Sequence, residues 1–248
     1  MFILLFLLGF LASVYGIIVG AGGGFIFVPM LLFFFDISPQ VAAGTGLAIV
    51  FLNSVSALYV YFKQQRVLVH KGTQFAIAAI PGTFVGSWLV NHVSEEVFHY
   101  GLATLLVGLG LFLAMKKPSV GTEKEAAAII EGNRVFVTFI IGLLLGIVSS
   151  FFGIGGGWLL VPIMIYLFRI DPYKATATSI FALSIYSFAG VIPPMLNGDI
   201  AWNILVWSGI GVCVGAQVGA LISKKLKASS ITRMLALLVI VIAVLLVV

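Results

Sequence analysis

The stretch GAGGGFIFVP, from Gly20 to Pro29, returns as GIGGGWLLVP, from Gly153 to Pro162, after a spacing of 133 residues. The register continues without a gap on both sides. Ile37, Pro39, Ala42 and Thr45 match Ile170, Pro172, Ala175 and Thr178. A repeat of this length indicates that one unit of roughly 110 to 130 residues was duplicated. We therefore expect two similar halves, with the functional site where they meet.

The composition places this duplicated chain in a membrane. Hydrophobic residues make up 62% and charged residues 8% of the 248 residues, whereas soluble domains have about 45 to 50% and 25%. The basic residues lie in short loops between apolar stretches, where they set membrane topology. The net charge of +5 therefore does not indicate nucleic-acid binding, and no separate soluble domain remains for catalysis.

Three apolar stretches in each half are long enough to cross a bilayer, which takes about 17 to 25 residues. They run over residues 41–62, 72–90 and 97–115 in the first half and over 175–194, 202–222 and 234–248 in the second. The sequence predicts a first transmembrane repeat at residues 1–116, a linker at 117–133 and a second transmembrane repeat at 134–248.

A longer apolar segment precedes each trio, at residues 2–35 and 135–168, and a glycine cluster interrupts it. The arm after each cluster would extend only about 16 Å as a helix, roughly half a bilayer. Neither arm can cross alone. We expect each segment to be a helical hairpin that bends at its glycines.

The loop charges invert between the two copies. The positive-inside rule is satisfied when the loops at 63–71, 116–134, 169–174 and 224–233 are cytoplasmic, which places all 13 Lys and Arg residues inside. Asp36 then lies in an external loop, and both termini are extracytoplasmic. The predicted fold is an all-α polytopic protein of the cell membrane with two inverted-topology repeats, each a re-entrant-type broken helical hairpin plus three transmembrane helices.

Glycine clusters at membrane depth indicate a binding site. Glycines at positive φ turn successive N–H groups to one side, and the helix that follows adds a partial positive charge. No Lys, Arg, Asp or Glu falls inside a predicted crossing, so we expect an anion to be held by amides and hydroxyls. The predicted substrate-binding residues are Gly20, Gly22, Gly23, Gly24, Phe25, Thr45, Asn53, Gly153, Gly155, Gly156, Gly157, Trp158, Thr178 and Ser179.

Close helix packing is the alternative role for glycine in membrane helices. We assign that role to Gly82, Gly86, Gly211, Gly215 and Gly219, which lie within predicted crossings. For the two clusters, the duplication and the short arm that follows favour a site. Gln217 and Tyr186 are weaker candidates for lining a pathway.

The sequence contains no recognisable catalytic or metal-binding constellation. His70, His92 and His99 have no second ligand at metal spacing, and Cys213 stands alone in an apolar span. We expect no enzymatic activity, no metal and no cofactor. The expected partners are a small anion and membrane lipid, with a homodimer left open and no nucleic acid.

The sequence resembles the TauE/SafE sulfite exporter family, also called the 4-toluene sulfonate uptake permease family. The resemblance lies in the doubled G-x-G-G-G motif with V-P five residues on, in the Thr about twenty residues after each cluster, and in the basic central linker. The resemblance covers essentially the whole chain. It implies a bacterial or archaeal membrane transporter of small sulfur-containing or organic anions, such as sulfite or sulfonates.

The leading hypothesis is a secondary carrier that exports such an anion and binds it at the glycine breaks near the bilayer midplane. An anion channel with the same site and an uptake permease for sulfonates or organic anions are the alternatives. A membrane enzyme or an assembly subunit is the least supported reading, since no nucleophile and base are paired in the membrane.

Overall fold

The computed structural model describes residues 2–35, 37–115, 134–227, 230–231 and 233–237. These residues form helices and connecting turns without any strand, so the predicted all-α fold is confirmed. The helices are α1 (Phe2–Val19), α2 (Gly24–Phe35), α3 (Pro39–Lys63), α4 (Val69–Val90), α5 (Glu95–Met115), α6 (Arg134–Phe152), α7 (Gly157–Pro162, continuing as a π-helical turn at Ile163–Leu167), α8 (Pro172–Asn197) and α9 (Trp202–Ser223). Asp36, the linker 117–133 and most of the predicted last crossing lie outside the described residues.

Five of these helices are long and apolar enough to cross a membrane, namely α1, α3, α4, α8 and α9. Four of them cover predicted crossings, and the fifth, α1, is the first arm of the first predicted hairpin. The predicted crossing at 97–115 lies within α5.

The duplication is visible in the helix boundaries. Helices α1 and α6 end at Val19 and Phe152, and α3 and α8 begin at Pro39 and Pro172. Helix α9, at Trp202–Ser223, is α4 shifted by the same 133 residues. The sequence repeat is therefore also a repeat of helices.

The first helix of each repeat packs on the other repeat, with α1 along α9 and α6 along α4. A Cβ on Gly82 would overlap Leu143 O, and a Cβ on the equivalent Gly215 would overlap Phe10 O. The absence of a side chain lets these backbones touch, as is typical of membrane helices. The packing role that we predicted for these two glycines is confirmed, and the two halves form one interlocked bundle.

Helices α3 and α8 cross at the centre of this bundle and run in opposite directions. The rings of Phe51 and Phe188 lie 5.4 Å apart, and those of Phe62 and Phe181 lie 5.8 Å apart. Residue numbers thus rise along α3 as they fall along α8. The equivalent helices α3 and α8 are therefore antiparallel.

Helix α1 runs in the same direction as α3. The Ser13 hydroxyl contacts Asn53, and one turn later Ile17 O accepts a 2.8 Å hydrogen bond from Tyr61 Oη. From the first contact to the second, the residue number increases on both helices, so α1 and α3 are parallel.

Helix α2 runs against α3. Gly24 faces Val50, and one turn later Val28 packs against Gly46. Because α1 is parallel and α2 antiparallel to the same helix, the chain reverses direction between them. The segment at residues 2–35 is a helical hairpin with its turn at the glycines.

Candidate functional site

Both glycine clusters form breaks with the same backbone conformation. Gly20 and Gly22 have φ of +77° and +79°, and Gly153 and Gly155 have φ of +69° and +73°. Residues with a side chain are disfavoured there, so glycine is what allows these turns. The predicted breaks at both clusters are present.

The two breaks lie against each other in the interior. A Cβ on Gly157 would overlap Gly20 O, and a Cβ on Gly24 would lie 3.0 Å from Gly153 O. The rings of Phe25 and Trp158, one after each cluster, are buried with centroids 5.1 Å apart. The fold therefore brings both clusters and both following aromatic residues together, as the duplication led us to expect.

The first break presents backbone donors. Helix α2 begins at Gly24, and the N–H groups of Gly23, Gly24 and Phe25 have no acceptor among the hydrogen bonds of the described residues. Such groups at a helix N-terminus carry a partial positive charge. They belong to the break that packs against the second glycine cluster.

Buried side-chain groups lie beside the break as well. Trp158 Nε1 is fully buried and has no hydrogen-bond partner in the described structure. The Asn53 side-chain amide is buried beside Gly23 and 2.6 Å from the Ser13 hydroxyl. The single proton of that hydroxyl goes to Val212 O at 2.7 Å, so the consistent amide orientation has Asn53 Nδ2 donating to Ser13 Oγ. A buried donor without an acceptor is costly, so an acceptor is expected to complete Trp158 Nε1.

The second break has a different neighbour at the position equivalent to Asn53. There Tyr186 Oη accepts a 3.1 Å hydrogen bond from Gly156 N. Tyr186, a weaker candidate in the sequence, thus contacts the break directly. Gln217, the other weaker candidate, is exposed on α9.

Thr45 and Thr178 lie differently from the expectation that their hydroxyls would face the breaks. Thr45 Oγ1 accepts from Ala201 N at 2.9 Å, and Thr178 Oγ1 accepts from Leu68 N at 3.0 Å. Each hydroxyl caps the backbone at the start of a helix in the other repeat. The next residue along the helix is turned by about 100°, so Gly46 and Ser179 face the breaks instead.

Ser179 is the hydroxyl that contacts the breaks. It donates to Gly20 O at 3.0 Å and lies 3.5 Å from Gly157 O. The equivalent Gly46 has no hydroxyl and packs directly on Gly153 O. Ser179 therefore links the two breaks on one side only.

A comparison with known protein families identifies the family of the protein that carries this site. The family model described as Sulfite exporter TauE/SafE matches residues 5–246. The chain belongs to the TauE/SafE family. The resemblance seen in the doubled glycine motif is confirmed.

Relatives of this TauE/SafE protein include the probable membrane transporter protein YunE of Bacillus subtilis, which is 30% identical over 97% of this chain and 95% of its own length. A probable membrane transporter protein of Xylella fastidiosa is 26% identical over 92% of this chain and 87% of its own length. The probable membrane transporter protein MJ0441 of Methanocaldococcus jannaschii is 24% identical over 94% and 90%. No solved structure matches. The protein is a membrane transporter.

Sequence reasoning missed two apolar side chains at the site of this TauE/SafE protein. Val50 from α3 and Leu183 from α8 occupy equivalent positions, and both pack against Gly22 and Gly155. The repeat alignment pairs these two positions, but apolar residues in apolar helices give no further signal. They close the space between the positive-φ glycines in this conformation.

Proposed function

We propose that this transporter is a secondary carrier that exports a small oxyanion or sulfonate and binds it between the two glycine breaks near the bilayer midplane. The observations that support this most are the contact between the two breaks and the donors without acceptors that belong to them: the N–H groups of Gly23, Gly24 and Phe25, and Trp158 Nε1. A set of donors without acceptors favours an anion.

The absence of charged side chains around the breaks in the sequence fits this role. Neither glycine cluster nor the facing parts of α3 and α8 contain Lys, Arg, Asp or Glu. Amides and dipoles hold an anion weakly enough for release, which transport requires. With a negative cell interior, export of a monovalent anion gains about 2.3 kcal/mol per 100 mV, so no coupled ion and no catalytic step are needed.

Opposite orientation of the repeats across the membrane is part of this proposal. The antiparallel packing of α3 and α8 and the inverted loop charges support it. In such an arrangement, rocking of one set of helices against the other exposes a central site to each side in turn. The exposed large apolar side chains of the helices, such as Phe34, Trp88 and Leu196, would then face lipid.

Flux into proteoliposomes tests the proposal, with sulfite and methanesulfonate as probes. The purified full-length protein should give saturable flux above that of empty liposomes. Gly23→Ala should lower the flux about tenfold or more with the protein still folded, since the added methyl would stand 3.0 Å from the end of the Asn53 side-chain amide. Gly108→Ala is the matched control, because a Cβ there meets nothing within 4 Å.

Two outcomes would contradict the carrier. Absence of flux for every small oxyanion and sulfonate would remove the substrate class. Flux that does not saturate and exceeds about 10³ per second would identify an anion channel with the same donors.

A further inference from the structure

Arg66 lies in the loop between α3 and α4, beside the C-terminal end of α9. Its Nη1 donates to Gln64 Oε1 at 2.8 Å and to Ser223 Oγ at 2.9 Å. Both partners are neutral. Hydrogen bonds to one nitrogen therefore hold the guanidinium in place without neutralising its charge.

Two aromatic rings lie beside this guanidinium. Its carbon lies 5.2 Å from the ring centroid of Tyr61 and 5.0 Å from that of Tyr173, which is cation–π distance. Both tyrosine hydroxyls are used elsewhere, since Tyr61 donates to Ile17 O and Tyr173 to Leu226 O. The two rings therefore stabilise the cation without neutralising its charge.

The hydrogen bonds of Arg66 in the described structure go to neutral groups and not to a carboxylate. Asp171 is near enough to affect it electrostatically, but its carboxylate caps α8 by accepting from Tyr173 N at 2.9 Å and from Lys174 N at 3.4 Å. Burial lowers the pKa of Arg66, yet an arginine remains charged at neutral pH. The cation is half-buried, and its hydrogen bonds do not neutralise it.

The remaining nitrogens of Arg66 form one edge of the fork. Nε and Nη2 are both buried and have no hydrogen-bond partner in the described structure. Together they match the spacing of two oxygens of a carboxylate, sulfate or sulfonate, and such bidentate pairs are among the strong charge-assisted hydrogen bonds. Buried unpartnered cationic donors are costly, so an oxyanion is the ligand that would complete them.

We propose that the Nε and Nη2 edge of Arg66 is a second oxyanion site, separate from the glycine breaks, and that neighbouring groups move to admit the ligand because both nitrogens are buried. That its ligand is the transported anion rests on the carrier function proposed above. Tyr61 connects the two sites, because Tyr61 Oη and Gly20 N both donate to Ile17 O, at 2.8 and 3.2 Å.

The opposite end of the bundle has the opposite charge at the equivalent position. Shifting Arg66 by 133 residues gives Asp199, a carboxylate that repels an anion. One end therefore attracts an oxyanion and the other favours its departure. If the loop at 63–71 is cytoplasmic, as the basic residues predict, this asymmetry directs an anion outward.

Thermal unfolding of the full-length protein in detergent tests the site, with sodium sulfate as the probe and sodium chloride at equal ionic strength as the reference. Sulfate should raise the melting temperature saturably and chloride should not. Arg66→Lys keeps the charge but removes the two-donor edge, and it should weaken the apparent sulfate affinity about tenfold or more. Lys63→Gln, which removes an exposed positive charge from the same loop, should stay within about twofold of the unmodified protein.

Equal sulfate affinity in Arg66→Lys and the unmodified protein would overturn the proposal. Stabilisation by phosphatidylglycerol that sulfate does not reproduce would also overturn it, since the edge would then bind a lipid phosphate. Gly23→Ala separates this inference from the carrier function: it should lower flux and retain the Arg66-dependent sulfate effect. If Arg66→Lys loses sulfate binding while no small anion is transported by the unmodified protein, the Arg66 site stands and the carrier function fails.

Discussion

The two glycine breaks share one backbone and differ in the side chains around it. Each has positive φ at the first and third positions of its motif, Gly20 and Gly22 in one and Gly153 and Gly155 in the other. Asn53 lies beside Gly23 of the first break, and Tyr186 lies beside Gly156 of the second. Ser179 contacts both breaks, whereas the equivalent Gly46 has no side chain and packs on Gly153 O.

This difference separates what the turn requires from what the site requires. Both turns need glycine, since a side chain at positive φ is strained. The polar groups need not be duplicated, because the two breaks meet in one place and share them. In the first break the Asn53 amide lies beside Gly23, while in the second Tyr186 Oη accepts a hydrogen bond from Gly156 N.

The largest effect is expected from Gly153→Ala, which tests whether the two turns are equally crowded. Its Cβ would overlap the backbone of Ala43, and φ is +69°, so we expect a loss of about 3 kcal/mol or more in the free energy of unfolding. Gly20→Ala shares the positive φ but would meet mainly the methyl groups of Thr176 and Val161, at 2.8 Å, and should lose less. Melting temperature and yield in detergent measure this, and equal losses would show that the turns do not differ.

A smaller effect is expected from Tyr186→Phe, which tests whether the second break depends on its own acceptor. Removal of the hydroxyl leaves Gly156 N without the 3.1 Å hydrogen bond, which should cost about 1 to 2 kcal/mol of stability. Tyr59→Phe is the control, because the Tyr59 ring is 65% exposed. A loss at Tyr186 no larger than at Tyr59, measured by thermal unfolding, would remove the distinction between the breaks.

The smallest effect is expected from Thr45→Val and Thr178→Val, which examine a feature that the two repeats have in common. Each removes one hydroxyl that accepts from a backbone N–H of the other repeat, at 2.9 and 3.0 Å. We expect similar losses of about 0.6 kcal/mol each and little change in KM for the transported anion. A large rise in KM for either variant would show that its threonine binds the anion, as we predicted from the sequence.

The two helix breaks and their contact could be predicted because the glycine motif occurs twice in the sequence. A triple-glycine motif with a short arm behind it cannot continue a crossing, and the duplication implies a symmetric partner. The direction of individual side chains could not be predicted in the same way. Thr45 and Gly46 are adjacent in the chain, yet one caps Ala201 N and the other lies on Gly153 O, because a helix turns about 100° per residue.

The sequence by itself determined the helical membrane class, the duplication, the four predicted crossings that match α3, α4, α8 and α9, and the glycine breaks. These follow from local properties: apolar length, charge in loops and the conformational freedom of glycine. Only the tertiary structure decided that Val50 and Leu183 fill the space between the turns, that Ser179 links them, and that Arg66 has two unpartnered donors. Such facts depend on contacts between residues more than 100 positions apart, and a buried donor is recognised as unsatisfied only when all its neighbours are in place.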